Sequence, residues 1–181
     1  TVDTVMIDNE YGGWLATNHL IECGCKKIAC ITGPDFVESG IQRVEGYQRA
    51  LHEAGIAEVP SLIVQGDFSM QSGYKAMDAL ITAGKEIDSV FVLNDMMAIG
   101  AMACIRAHGR SIPEDIAVIG FDNIELAASM YPSLSTIAQP MEEIAASLVN
   151  ILLERKQYPN LSTKRMVFHP SLIVRNTTKK E

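Results

Sequence analysis

Short apolar runs alternate along this chain with stretches whose apolar positions recur at helical spacing. A continuous apolar run bounded by turn residues predicts a buried strand. An i, i+3, i+4 recurrence predicts a helix with one buried face. On this reading Val5–Ile7 is a strand, and Glu10–Cys23 is a helix carrying Trp14, Leu15, Leu20 and Ile21 inward. Gly24 is placed to stop that helix. Lys27–Thr32 is the next strand, closed by Gly33 and Pro34. A long helix follows over Ser39–Ala54, stopped by Gly55. The series continues as strand Leu62–Gln65, helix Ser69–Ala83, strand Ser89–Leu93, helix Asp95–His108 and strand Ile116–Phe121. Such alternation predicts an α/β fold with a doubly wound, Rossmann-like parallel sheet.

The rhythm changes after Tyr131. A strand Ser135–Ile137 leads to Gln139-Pro140, and a helix Met141–Lys156 places Ile144, Ala145, Leu148, Ile151 and Leu152 on one face. Tyr158, Pro159 and Asn160 predict a turn. Two short strands, Arg165–His169 and Leu172–Arg175, flank Pro170, which marks a bend rather than one continuous strand. The tail is thus expected to leave the main sheet and return to it. Residues 177–181 read as a polar, frayed end. One helix and one strand beyond the main sheet bury little on their own, so a larger second lobe is expected outside this sequence.

Composition narrows the function. The chain has 181 residues, 48% apolar, with a net charge of -7. That balance argues against this stretch itself gripping nucleic acid, since phosphate contacts need a basic face. No apolar run reaches the length of a membrane span, and Thr1–Thr4 lacks the basic start of a secretory signal. Cys23, Cys25, Cys30 and Cys104 fit neither a disulfide framework nor a zinc spacing, so they read as reduced thiols. His19, His52, His108 and His169 form no evident metal pair. No nucleophile–base pair, phosphate loop or dinucleotide fingerprint is present, so the sequence predicts no catalytic residue, no metal and no cofactor. Met70, Met77, Met96, Met97 and Met102 read mainly as core, though an excess of methionine on the Asp95–His108 helix also suits a dimer surface.

In open parallel sheets, ligands bind beyond the carboxyl ends of the strands. Asp67 and Phe68 follow one strand, Asn94 another, Asp122 a third and Gln139 a fourth. The loop after Lys27–Thr32 leads to Arg43. A carboxylate, a guanidinium, two amides and an aromatic face suit a polyol such as a sugar. Each has a plainer alternative. Arg43 pairs with Glu38 or Glu45 at the surface, Phe68 is core, Asn94 and Asp122 cap helices, and Gln139 is a solvated turn residue. Their common placement favours a joint ligand role.

Ordered motifs over nearly the whole length carry a resemblance. They include Lys27-Ile28-Ala29, Ile31-Thr32-Gly33-Pro34, Arg43-Val44-Glu45-Gly46-Tyr47, Gly66-Asp67-Phe68, Asn94-Asp95-Met96-Met97-Ala98-Ile99-Gly100, Pro113 to Asp122, Gln139-Pro140 and Pro170-Ser171-Leu172-Ile173-Val174-Arg175. The chain resembles the effector-binding half of the LacI/GalR family of bacterial transcription repressors, most of all the ribose and purine repressors. The resemblance implies two periplasmic-binding-protein-like lobes of type I, joined by three crossings, with a small effector between them. It implies a C-terminal lobe over residues 8–137, a remnant of the N-terminal lobe over 138–169, and a return to the C-terminal lobe and tail over 170–181. It implies a cytoplasmic homodimer that binds operator DNA through a helix-turn-helix lying outside this sequence. Arg43, Phe68 and Asp122 match effector-contacting positions of the family. Asn94 and Gln139 match hydroxyl-binding positions of related periplasmic ribose-binding proteins. Purine repressors tend to have glycine at the position of Asn94 and arginine at that of Val37, which favours a pentose such as ribose over a purine. The alternative from another class is a periplasmic sugar-binding protein of a transporter.

Overall fold

The computed structural model describes residues 2–158 and 161–178. Six strands form the main sheet in the order β3-β2-β4-β5-β6-β8: β2 (Ile28–Thr32), β3 (Ile63–Gln65), β4 (Ser89–Val92), β5 (Ala117–Asp122), β6 (Ser135–Ala138) and β8 (Ser171–Ile173). All neighbours run parallel except β8, which joins β6 antiparallel. The expected doubly wound sheet is therefore present, with one antiparallel edge strand. β4 and most of β5 are buried on both faces, as their unbroken apolar text requires.

Helices cover both faces. α1 (Asn9–Glu22) packs on α2 (Glu38–Glu53), and α3 (Met70–Thr82) packs on α4 (Asp95–Ala107). Neighbouring residues of a strand point to opposite faces. A Cβ on Gly12 of α1 would meet the Phe121 ring at 2.7 Å, whereas a Cβ on Gly120 would meet Asp95 of α4 at 2.2 Å. The α1/α2 and α3/α4 pairs thus lie on opposite sides of β5. The strand order turns between β2 and β4, and the crevice past their carboxyl ends is where such sheets take ligands.

A second, two-stranded sheet lies apart from the first. β1 (Thr4–Ile7) pairs in parallel with β7 (Arg165–Phe168), and α6 (Met141–Gln157) packs on β1. Arg155 of α6 donates from Nε and one terminal nitrogen to the two carboxylate oxygens of Asp3, each at 2.6 Å, and ties the unit together. Only Ile151 of α6 is buried, while Leu148 and Leu152 of the expected inward face remain exposed. A two-stranded sheet has too little surface to cover that whole face. The chain passes between the two sheets at Asp8, at Gln139-Pro140 and at His169-Pro170.

Several expectations need correction. Asp122 is the last residue of β5 rather than the residue after it. It does not cap α5 (Glu125–Ser129): Ile124 occupies that position with no side-chain cap. Leu62 belongs to a 3-10 turn, Pro60–Leu62, ahead of β3. The frayed tail is also overturned at its start. Thr177 and Thr178 are wholly buried, and Ser135 donates its backbone N–H to Thr177 Oγ1 at 2.8 Å. The Val118 N–H donates to the Thr177 carbonyl, so main-chain pairing holds the tail despite its polar side chains. Residues 179–181, like Pro159 and Asn160 of the expected turn, lie outside the described residues. Met97, Ile99 and Met102 are interior, so they supply no dimer surface; of that set only Met96 is substantially exposed, beside Leu126 and Tyr131 further along.

Candidate functional site

Arg43 is the centre of the site. Its backbone is brought in by two close helix contacts: a Cβ on Gly13 would lie 2.1 Å from the Arg43 carbonyl oxygen, and one on Gly46 2.0 Å from that of Glu10. Only glycine permits α1 and α2 to approach so closely. Arg43 is 7% exposed, so it is no surface ion-pair partner of Glu38 or Glu45; Arg49 takes that kind of role with Glu10 and Glu53. Its guanidinium lies over the Phe121 ring, 3.6 Å from the centroid. Nε donates to Asn9 Oδ1 at 2.9 Å and a terminal nitrogen to the Leu93 carbonyl at 2.6 Å. The other terminal nitrogen lies 3.8 Å from Asp122 Oδ1. Burial lowers the Arg43 pKa to about 10, with Asp122 and Asp95 acting against the shift, so the group stays cationic at neutral pH.

Asp122 enters from β5 with φ at 110°, and Asn123 follows at 56°. Both values are uncommon for residues with a side chain. A buried carboxylate underneath holds the turn: Asp95 Oδ2 accepts from the Ile124 N–H at 2.9 Å, and Asp95 Oδ1 accepts from the Thr136 hydroxyl at 2.7 Å. Gln139 Nε2 donates to Asp122 Oδ1 at 2.6 Å. Burial raises the Asp122 carboxyl above its ordinary value, while Arg43 and Gln139 pull it down. Arg43, Asp122 and Gln139 therefore converge. Beside them opens a cavity of about 280 Å³ between the two sheets, lined by Ile7, Asn9, Ser39, Arg43, Gln139 and Met141 among others.

Phe68 and Asn94 form a neighbouring pair outside that lining. Phe68 has φ at 69° and lays its ring on Gly33, where a Cβ would fall 2.0 Å from Cζ. Asn94 donates from Nδ2 to the Phe68 carbonyl at 3.0 Å and accepts from the Met97 N–H at 2.9 Å. Its helix-capping alternative is thus real, and it also fixes Phe68 at the sheet edge. Sequence reasoning missed Asn9 and Phe121. Asn9 opens α1 two residues past the end of β1, close to the strand end as the other candidates are.

A ligand-binding domain with two sheets, three crossings and a polar cluster between them is the class these features define. The chain belongs to the periplasmic binding protein-like domain family, matched over residues 17–178, in the form carried by LacI/GalR regulators. It is 39% identical over 177 residues to the HTH-type transcriptional repressor PurR of Vibrio atlanticus (strain LGP32), covering 98% of this chain and 53% of that protein. Among solved structures it is similar to a transcriptional regulator CelR-cellobiose complex, with a TM-score of 0.92 and 36% identity over 97% of this chain and 54% of that one. It is also similar to a LacI family regulator from Enterococcus faecium with bound ribose, with a TM-score of 0.88 and 32% identity over 97% of this chain and 65% of that one. The chain spans about half the length of the curated relatives it matches.

Proposed function

We propose that this chain senses a sugar, a pentose of the ribose kind, for a LacI-type transcription repressor. The observation that carries the reading is the convergence of Arg43, Asp122 and Gln139 beside a cavity at the crossing between the two sheets. Neighbouring hydroxyls of a sugar both donate and accept. Asp122 accepts from one hydroxyl, Arg43 donates to another oxygen, and the Gln139 amide does both. Phe68 supplies an apolar face for ring C–H groups. The main sheet, over residues 8–137 and 170 onward, serves as one lobe, and the β1/β7/α6 unit, built from the residues before Asp8 and from 138–169, belongs to the other.

Ligand between two lobes favours one lobe angle over another, and only that difference shifts the equilibrium. In a homodimer, the angle sets the spacing of DNA-binding heads carried elsewhere in the protein. Exposed Met96, Leu126 and Tyr131 support a partner contact on the α4–α5 side. The protein so read acts at operator DNA in the cytoplasm, with no catalytic group and no cofactor. Among the described residues no helix is long and apolar enough to cross a membrane. A purine effector is the second reading, favoured by the PurR likeness. A thermal-shift panel of pentoses, hexoses, sugar phosphates and purines on the full-length protein separates them, because a bound ligand raises apparent stability by mass action. The pentoses are expected to raise the midpoint, and a response to purines alone would replace the sugar reading.

A further inference from the structure

A second cluster of donor groups stands at the far end of α4. Cys104 and His108 are four residues apart, so they share one helix face on successive turns. Asp78 reaches the same place from α3. The two helices cross closely: a Cβ on Gly73 would lie 2.1 Å from the Met97 carbonyl oxygen, and one on Gly100 1.9 Å from that of Met70. His108 Nε2 and Asp78 Oδ1 are 2.7 Å apart. Cys104 Sγ completes a triangle in which all ligand atoms lie within 4.8 Å of one another. No other group of three such residues occurs among the described residues.

We propose that Asp78, Cys104 and His108 bind a divalent transition metal of the zinc type, clamping α3 to the end of α4. Zinc bonds to oxygen, nitrogen and sulfur run about 2.0–2.3 Å, which sets tetrahedral ligands roughly 3.3–3.8 Å apart. The His108–Asp78 distance falls short of that span and no ligand pair lies beyond 4.8 Å, so shifts of roughly an ångström bring the three donors into it. A helical pair at i, i+4 with a third ligand from a packed neighbour is a recurrent way to hold zinc. The donor set also selects. The thiolate disfavours magnesium and calcium, and the carboxylate disfavours monovalent copper. Cys104 is wholly buried, whereas Asp78 and His108 remain partly open to solvent, which gives the ion an entry path and leaves the fourth position to water. On binding, the Cys104 S–H bond breaks, a metal–sulfur bond forms and the proton passes to solvent. This departs from the expectation of no metal: the cysteines have no zinc spacing among themselves and the histidines form no pair, but Cys104 and His108 stand one turn apart beside Asp78.

The cluster lies at the opposite end of α4 from Asp95, about 20 Å away for a helix of this length. Metal binding is therefore independent of the sugar reading. A rival pair exists at His19 and Cys23, with Nε2 and Sγ 3.7 Å apart, but that histidine nitrogen is already hydrogen-bonded to Thr178 at 2.8 Å.

The test is titration of Co²⁺, then Zn²⁺, into the reduced, chelator-treated full-length protein. About one cobalt per chain is expected, with a sulfur-to-cobalt charge-transfer band. Cys104→Ala and His108→Gln should abolish the band, and Cys23→Ala should leave it. Zinc should raise the melting temperature of the parent protein and not of His108→Gln. His108 is at the surface, so that variant folds even if the buried Cys104 change does not. Loss of a direct ligand should weaken binding by more than the roughly 10–100-fold that an outer partner is worth. Absence of the band in the parent protein, its survival in His108→Gln, or its loss in Cys23→Ala would each overturn the proposal.

Discussion

Gln139 donates to Asp122 Oδ1 at 2.6 Å, and that bond joins the last residue of β5 to the segment that leaves the main sheet. The same oxygen lies 3.8 Å from the Arg43 guanidinium. One carboxylate therefore links the sheet edge, the crossing and the buried cation. On the proposed reading, a ligand hydroxyl entering here would compete with Gln139 for Asp122 and change how the crossing is held, which would carry occupancy to lobe angle.

Asp122→Ala should weaken effector binding with little loss of fold. Its side chain is 31% exposed, and it contributes no main-chain pairing through its carboxylate. A hydrogen bond to a charged group is worth about 1.5–3 kcal/mol, so affinity should drop roughly 10–100-fold. Calorimetry on the variant checks this, with circular dichroism to confirm the fold.

Gly13→Ala should damage both stability and binding. The new methyl would lie 2.1 Å from the Arg43 carbonyl oxygen, a backbone atom that moves only with α2. Overpacking of this kind costs about 1–3 kcal/mol. Urea unfolding should show an earlier midpoint, and any folded fraction should bind effector more weakly because Arg43 has shifted. The equivalent change at Gly24, where nothing lies within 4 Å, carries only the cost of its positive φ.

Asp95→Asn should change the pH dependence of stability. Burial raises the Asp95 carboxyl from 3.8 to about 6, partly offset by the bonds from Thr136 and Ile124. With the folded value above the unfolded one, the folded chain holds more protons across that window. The contribution to stability is thus full below about 3.8 and is lost as pH rises through about 6. Asparagine can accept from Ile124 and donate to Thr136, yet does not titrate. The stability of the parent protein relative to Asp95→Asn should therefore fall between those two values and level off above. Urea midpoints measured across the window check this; parallel curves would refute it.

The 181-residue chain should not bind duplex DNA on its own. Its net charge of -7 repels phosphate, and no helix presents a basic face. A gel shift at moderate salt, compared with the full-length protein on its operator, is the check.

Much of this was legible in the sequence because strand ends were marked. Gly33-Pro34 and Gly66 close two of the apolar runs, and Phe68, Asn94, Asp122 and Gln139 could be aligned at or past the strand ends. Arg43 was legible as a site candidate but its burial was not; that comes from Gly13 and Gly46, which look unremarkable until two helices touch. Asn9 was missed because β1 is only half-buried and its text is short. The tail was misjudged because Thr177 and Thr178 read as polar, whereas the Thr177 carbonyl and both hydroxyls find partners inside. The methionines of α4 were partly misassigned because a helix pressed between a sheet and α3 is buried on more than one face.

Calorimetric titration of D-ribose into the full-length protein and its Asp122→Ala variant puts the sugar site to the test. One binding event per chain is expected in the parent protein, lost or weakened roughly 10–100-fold in the variant. Equal affinity in the two proteins would contradict the site, and silence to ribose alongside tight binding of a purine would contradict the sugar.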